Sequence, residues 1–232
     1  MEPIAHIESP YTTKFGIPRQ SGIVDTIESH IVFEPAYRIA EALRGIEDYE
    51  YLWLIWLFSA ADTWSPTVRP PRLGGNHRVG VFATRSPFRP NHIGLSSVRL
   101  LRVEHSATLG NILVVSGADL MNGTPILDIK PYLPYTDSHP CAKSAFATVA
   151  ANHLLQVTIP DNIIDRIQES HRESLINILA HDPRPQYHDD PSRIYGISLW
   201  NYEIKFTVDG STLTVTSAAT QHKTTTETPI KH

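Results

Sequence analysis

Tyr51-Leu-Trp-Leu-Ile-Trp-Leu-Phe58 is the stretch on which the fold turns. It is apolar throughout, it contains no turn residue, and its aromatic content favours a strand over a helix. Without alternation between polar and apolar positions, both faces of that strand are expected to lie against protein, as in a central strand. Shorter strand-like segments surround it: residues 4–7 before the turn Glu8-Ser-Pro-Tyr11, then 79–84, 96–103, 111–116 and 126–129. The gaps between them are short and hold Gly, Asn and Asp. One helix is expected over 35–44, opened by Pro35, with Ala36, Ile39, Ala40 and Leu43 on one face and Gly45 as its stop. One helix among many short strands points to a mainly β protein, a closed or nearly closed β-barrel.

Composition shifts near Pro140. A strand over 147–157 is expected, then a helix opened by Pro160-Asp161 with Ile163, Ile164 and Ile167 on one side. A second helical pattern carries Leu175, Ile178 and Leu179 and is broken at Asp182-Pro-Arg-Pro185. Segments 199–208 and 211–215 read as a hairpin across Asp209-Gly210. The expected organisation is a β-barrel domain over 1–140, a small α+β C-terminal domain over 141–217, and a flexible Thr-, Lys- and His-rich tail over 218–232.

With 232 residues, 41% of them hydrophobic and 19% charged, the chain can bury a sizeable core and is not expected to be disordered. Its single cysteine, Cys141, excludes an internal disulfide. The first residues lack a basic-then-apolar block, and no apolar run is long enough to span a bilayer, so a soluble cytoplasmic protein is expected. Charge is unevenly distributed. Between Thr63 and Val103 stand seven arginines (Arg69, Arg72, Arg78, Arg85, Arg89, Arg99 and Arg102) and no acidic residue. The whole chain is formally −4, so everything outside this +7 window carries −11. A cationic island in an acidic protein, stiffened by Pro66, Pro70, Pro71, Pro87 and Pro90, suits a phosphate-bearing partner. No dinucleotide fingerprint, phosphate-binding Walker loop or nucleophile elbow is present, and the histidines show no metal-ligand spacing.

Four motifs stand in a distinctive order: Pro18-Arg-Gln20 after Ser9-Pro-Tyr11, Trp64-Ser-Pro-Thr-Val-Arg-Pro-Pro-Arg-Leu-Gly-Gly75, Gly80-Val-Phe-Ala-Thr-Arg-Ser-Pro-Phe-Arg-Pro90, and Asp128-Ile-Lys-Pro-Tyr132. Together they resemble the TsaA-like family of tRNA adenosine N6-methyltransferases. Leu179-Ala-His-Asp-Pro-Arg-Pro-Gln-Tyr187 and Ile194-Tyr-Gly-Ile-Ser-Leu199 are similar to the extra small domain of its bacterial members. The resemblance implies a non-Rossmann β-barrel methyltransferase that works as a homodimer. It implies S-adenosylmethionine as cofactor and, as substrate, N6 of threonylcarbamoyl-adenosine beside the anticodon of threonine-type tRNAs. Carried over by motif, the implied cofactor contacts are Pro18, Arg19, Gln20, Ser59, Ala60, Arg85, Leu95, Asp119, Leu120, Met121 and Asn122. This chain departs from its relatives at Ser59-Ala60, where they often have a polar pair, and at Asn122, where they carry an acid.

The residues themselves suggest the remaining roles. Arg85 ends an apolar segment, placed to clamp a carboxylate or phosphate in two-pronged fashion. Arg69, Arg72 and Arg89 are expected on the tRNA backbone; Arg99 and Arg102 lie on a strand and are expected to face water. Asp128 and Lys130 alternate with Leu127 and Ile129 and so share one side of the sheet. The acceptor nitrogen that the resemblance implies bears a carbonyl substituent that makes its proton more acidic, so these two are the candidate catalytic groups favouring its deprotonated form. The competing reading is a non-catalytic RNA-binding β-barrel in which Arg85 is structural. A hydrolase acting on a small nucleotide lacks any metal or nucleophile constellation.

Overall fold

A computed structural model of the chain describes residues 1–70, 77–143, 154–184 and 190–220. Strand β3 (Tyr51–Leu57) alternates after all: Leu52, Leu54 and Trp56 are buried inside, while Tyr51, Trp53, Ile55 and Leu57 take the other face. That outer face is apolar because part of it walls the cavity described below, which explains a pattern that reads as buried on both sides.

Six antiparallel strands form a ring. In spatial order they are β1 (Ala5–Glu8), β2 (Glu28–Phe33), β7 (Gly110–Ser116), β6 (Ile93–Ser106), β3 and β8 (Pro125–Pro131), and β8 pairs back to β1 through Ala5 and Ile126. Its interior holds Ala5, Ile7, Ile31, Leu52, Leu54, Leu113, Val115 and Ile126, all buried. Closing the sheet leaves no unpaired edge to protect. β2 carries a weak signal, since Ser29 and His30 interrupt its apolar run. Between β3 and β8 the register shifts: Ile55 faces Asp128 and Trp56 faces Ile126, leaving Leu127 as the extra residue. This bulge turns Asp128 and Lys130 to the outer face, opposite Ile55 and Trp53.

Three expectations give way to local geometry. The segment 35–44 is not an α-helix but part of a series of 3-10 turns, Pro35–Tyr37, Ala40–Leu43 and Ile46–Asp48, with no buried residue. Arg38 pins this segment by donating to the carbonyls of Phe33 and Thr108 (2.9 and 3.1 Å), and Ile39 faces solvent. The expected strand over 79–84 shrinks to β5 (Val79–Gly80), paired with β4 (Thr67–Val68), and continues as a 3-10 turn, Val81–Ala83. The strand expected over 199–208 starts three residues late, as β11 (Tyr202–Asp209), because the chain reverses at Trp200 (φ of 53°) after a separate strand, β10 (Tyr195–Leu199).

The hairpin across Asp209-Gly210 joins β11 to β12 (Thr212–Thr220). β12 runs beyond the expected start of the tail, and Ala218 is buried. A short parallel strand, β9 (Gln156–Thr158), completes the order β10-β11-β12-β9. Most of the strand expected over 147–157 lies outside the described residues, as does the tail from residue 221. Beyond a short turn, α1 (Pro134–Asp137), the helices are α2 (Asp161–Ile164) and α3 (Glu169–Ala180), which belong to this second unit. Strand rather than helix predominates there, so the expected α+β character is slight.

The second core is not built from the C-terminal residues alone. Between β1 and β2 the chain leaves the ring, and Tyr11, Val24 and Ile27 pack into the cluster of Leu175, Leu179, Leu199 and Phe206. Trp200 N–H donates to the Pro10 carbonyl (2.9 Å), Tyr11 bridges Leu199, and the Ser174 hydroxyl donates to the Thr26 carbonyl (3.1 Å). This excursion carries Pro18-Arg-Gln20 to the junction of the two units. No helix among the described residues is long and apolar enough to cross a membrane.

Gly94 on β6 permits one contact that the ring mouth requires. The Trp56 indole lies flat on its backbone, and a Cβ there would fall 2.3 Å from Trp56 Cε2. Gly94→Ala is expected to destabilise the protein by about 2 kcal/mol or more, as overpacking does. Urea denaturation measures this, and in a Trp56→Leu background the same substitution should cost much less.

Candidate functional site

A cavity of about 600 Å³ opens at the mouth of the ring, a size suited to a small organic ligand. Its floor is Trp56, Gly94 and Asp119. One wall is the outer face of β3 and β6 with Trp53, Leu57 and Leu95. The opposing sides come from the excursion (Lys14 and Ile17 to Gln20) and from the arginine-rich loop (Thr84, Arg85 and Pro87 to Arg89). Segment 58–61, just after β3, completes the rim.

A directed hydrogen-bond chain runs through the floor. The Trp56 indole N–H donates to Ser96 Oγ (3.0 Å), and the Ser96 hydroxyl donates to Asp119 Oδ1 (2.5 Å). Indole can only donate, so the serine proton is committed to the carboxylate. Burial pushes the Asp119 carboxyl above its usual range. The Ser96 hydrogen bond, the backbone amide of Asp119 itself, the Arg85 charge and a Ser21 backbone hydrogen bond pull it the other way. The nearby Tyr11 hydroxyl is raised in turn, by burial first and then by the Asp119 charge. It is buried and has no hydrogen-bond partner among the described residues. The site thus concentrates a negative charge in poorly solvated surroundings, where a ligand's cation or donor hydrogens are attracted more strongly than in water.

The cationic side is arranged around the Pro-Arg-Gln motif. Arg85 is exposed at the rim, and its Nη1 donates to Gln20 Oε1. Gln20 is therefore held as an acceptor by Arg85, while its amide nitrogen donates to the Arg19 carbonyl. The Arg19 guanidinium reaches the other way, to the carbonyls of Asp182 and Arg184 (3.2 and 2.6 Å), tying the cavity wall to the second unit. Lys14 Nζ donates to the Ala60 carbonyl (3.4 Å), linking the excursion to the segment after β3.

Of the residues singled out for a cofactor, the structure gathers Pro18, Arg19, Gln20, Ser59, Ala60, Arg85, Leu95, Asp119 and Met121 around this one cavity. Two stand apart. Leu120 is fully buried in the ring core. Asn122 straps two loops together, its Oδ1 accepting from Ser9 N–H (3.0 Å) and its own N–H donating to the Tyr11 carbonyl (2.8 Å). Asp128 and Lys130 do not line the cavity. They form an exposed ion pair with each other (2.9 Å) on the outer face, one strand from Trp53.

Among the arginines, Arg69 is exposed just after β4, and Arg72 lies outside the described residues. Arg89 lines the cavity, but its Nη1 donates to the Val81 and Thr84 carbonyls (3.3 and 2.6 Å), so it clamps the 3-10 turn. Arg99 pairs with Glu50 (3.0 Å), and Arg102 with both Glu28 and Glu104, on the surface as expected. Ser96 escaped the sequence reading. Its signal was the row Gly94, Ser96, Val98 on alternate positions of β6, where small and polar residues interrupt an otherwise apolar inner face.

Among the described residues no cluster of three or more His, Cys, Asp or Glu is placed to hold a metal ion. Comparison with known families identifies the chain. Residues 6–138 match the tRNA-methyltransferase O N-terminal domain, and residues 152–221 match the TrmO C-terminal domain. The chain belongs to the TrmO family. It is 38% identical over 218 residues to the tRNA (adenine(37)-N6)-methyltransferase of Escherichia coli strain K12, covering 89% of this chain and 92% of that one. It is 39% identical over 213 residues to the putative S-adenosylmethionine-dependent methyltransferase RcsF of Pseudomonas aeruginosa, covering 88% and 90%. The crystal structure of TrmO from Pseudomonas aeruginosa superposes with a TM-score of 0.76 at 32% identity, covering 94% of this chain and 97% of that one.

Two substitutions test the floor of this TrmO-family cavity. Ser96→Ala leaves the Trp56 N–H and an Asp119 oxygen without their partner and should cost about 2 kcal/mol in urea denaturation. Asp119→Asn should act in the opposite direction. A carboxyl raised on folding binds more protons folded than unfolded, so stability falls as pH rises past its unfolded value. Asparagine removes that cost, so the variant should melt a few degrees above wild type at pH 7. The advantage should vanish as pH drops below the ordinary carboxylate range.

Proposed function

We propose that this protein transfers a methyl group from S-adenosylmethionine to N6 of adenine 37 of tRNA, with threonylcarbamoyl-adenosine as the acceptor nucleoside. The observation that carries the reading is the mouth cavity, where the charges of Asp119 and Arg85 share one apolar-walled space. Those residues fit a ligand that joins an aromatic base, hydroxyls, a cation and a carboxylate. The Leu57, Phe58, Phe88 and Leu95 side chains would cover the base and keep water out, Arg85 would pair with the carboxylate, and Asp119 would accept from donor hydrogens. Bound there, S-adenosylmethionine supplies an electrophilic methyl carbon on sulfur.

The protein's own contribution is alignment and exclusion of water, since holding two reactants in line can supply on the order of 7 kcal/mol. The target adenine, already unpaired in a loop, is presented without the cost of extraction from a duplex. Lys130 and Asp128 pair with each other outside the cavity, beside Trp53, so a role for them in favouring the deprotonated acceptor requires the bound adenine to extend past Trp53. Arg69 and Arg72 would hold the RNA backbone, and a second copy of the chain would complete the working homodimer.

Tritium incorporation from labelled S-adenosylmethionine into tRNA, with and without the threonylcarbamoyl group, tests the reading. Incorporation that requires the group supports it; none in either tRNA overturns it. Arg85→Ala should weaken S-adenosylmethionine binding tenfold or more by calorimetry, whereas a non-catalytic RNA-binding barrel would show no heat even in wild type. Single-turnover methylation by Lys130→Ala and Asp128→Asn should slow; wild-type rates in both would remove them from the chemistry. Affinity for tRNA should fall steeply between low and moderate salt, as phosphate contacts demand.

A further inference from the structure

Phe82 is thrown into solvent by a turn built to hold it there. Val81 is almost completely buried, while the next residue is 74% exposed. The 3-10 turn Val81–Ala83 sets this contrast, closed by Thr84 N–H and the Thr84 hydroxyl on the Val81 carbonyl (3.1 and 2.8 Å). Val81 N–H in turn donates to the Pro66 carbonyl (3.0 Å), anchoring the turn to the segment that enters β4. The Phe82 ring is also backed on one side. The Arg89 guanidinium sits 5.7 Å from its centroid, and that guanidinium is itself fixed by the Val81 and Thr84 carbonyls. One face of the ring therefore rests on an immobilised cation while most of the ring remains open to solvent. Phe82 does not line the cavity, but Arg89, which backs its ring, does.

Single exposed hydrophobic side chains are common; Phe82 differs in having a closed turn beneath it and a fixed guanidinium over one face. We propose that the open face of Phe82 is a stacking platform for an unpaired nucleobase beside the one presented to the cavity. This rests on the tRNA reading above and adds to it a specific subsite. Aromatic rings backed by arginine accept any base, because every base has a π face. Preorganisation by the turn and the clamp reduces the ordering cost of binding. Charge selects RNA over a second copy of this chain. Arg85 and Arg89 of this loop donate only to neutral acceptors among the described residues, so a two-fold contact through this patch would set their charges against each other.

The experiment uses the full chain and an anticodon stem-loop RNA, with and without an abasic sugar on each side of the target adenine. Phe82→Leu keeps an apolar side chain but loses the ring; Phe82→Trp enlarges the platform. Phe82→Leu should weaken binding of the intact stem-loop about tenfold while leaving S-adenosylmethionine affinity unchanged, and Phe82→Trp should bind as tightly as wild type. With the abasic RNA on the stacking side, wild type and Phe82→Leu should bind equally, because the partner of the ring is gone. Full affinity in Phe82→Leu, or an equal loss on every RNA, overturns the platform. Dissociation of a dimer by Phe82→Leu, seen by sedimentation, with unchanged RNA affinity would assign the ring to a protein interface instead. Wild-type protein that methylates tRNA while Phe82→Leu binds normally would leave the methyltransferase reading standing alone; wild-type protein that neither binds nor methylates would remove both.

Discussion

A carboxylate held in poorly solvated protein is the constraint around which this molecule is arranged. Asp119 lies where the closed ring of strands opens, and burial disfavours its charge. What keeps it usable is a fixed orientation of donors: the Trp56 indole orients the Ser96 hydroxyl, and that hydroxyl is aimed at the carboxylate. The indole can reach Ser96 only because Gly94 lets its ring lie against the β6 backbone. Three residues on two neighbouring strands thus serve an acid on a loop, and ring closure holds those strands in register.

The second constraint is topological. Residues between β1 and β2 leave the ring, enter the core of the C-terminal sheet and return. Tyr11, Val24 and Ile27 are as much a part of that second core as the residues of α3 and β10–β12. The motif Pro18-Arg-Gln20 is carried along this path to the cavity, where Gln20 meets Arg85 and the Arg19 guanidinium reaches the carbonyls of residues 182 and 184. One wall of the site is consequently coupled to the stability of the C-terminal sheet, although none of the cavity's lining residues comes from that sheet.

Charge in the arginine-rich window divides by environment. On the long strand β6, Arg99 is neutralised by Glu50, just before β3, and Arg102 by Glu28 of β2 and Glu104 of β6 itself. Arg89 is absorbed in holding its own loop. Arg85 faces the cavity rim and Arg69 faces solvent. A count of arginines therefore overstates the charge available to a polyanion, and the fold determines which of them remain able to meet one.

Much of this was readable from the chain. The apolar strand at 51–57, the strands flanking it and the hairpin at Asp209-Gly210 follow from apolar period and turn chemistry, whereas most residues of the cavity were implied by the family resemblance that the motifs carry. Local pattern failed where a neighbour overrode it. The expected helix at 35–44 became 3-10 turns pinned by Arg38, and the strand at 79–84 was cut short by a turn that Arg89 clamps. Asp128 and Lys130 do share one side of the sheet, as their alternation implies, and the bulge at Leu127 makes that side the outer one; Ser96 was invisible because its partners are 40 and 23 residues away. The sequence by itself determined the strand-rich architecture and the types of residue that would line a site, because periodicity and covalent side-chain chemistry are local properties. Only the tertiary structure decided which carboxylate is buried, which guanidinium is engaged and which aromatic ring stays bare, because solvation and pairing depend on what distant segments bring into contact.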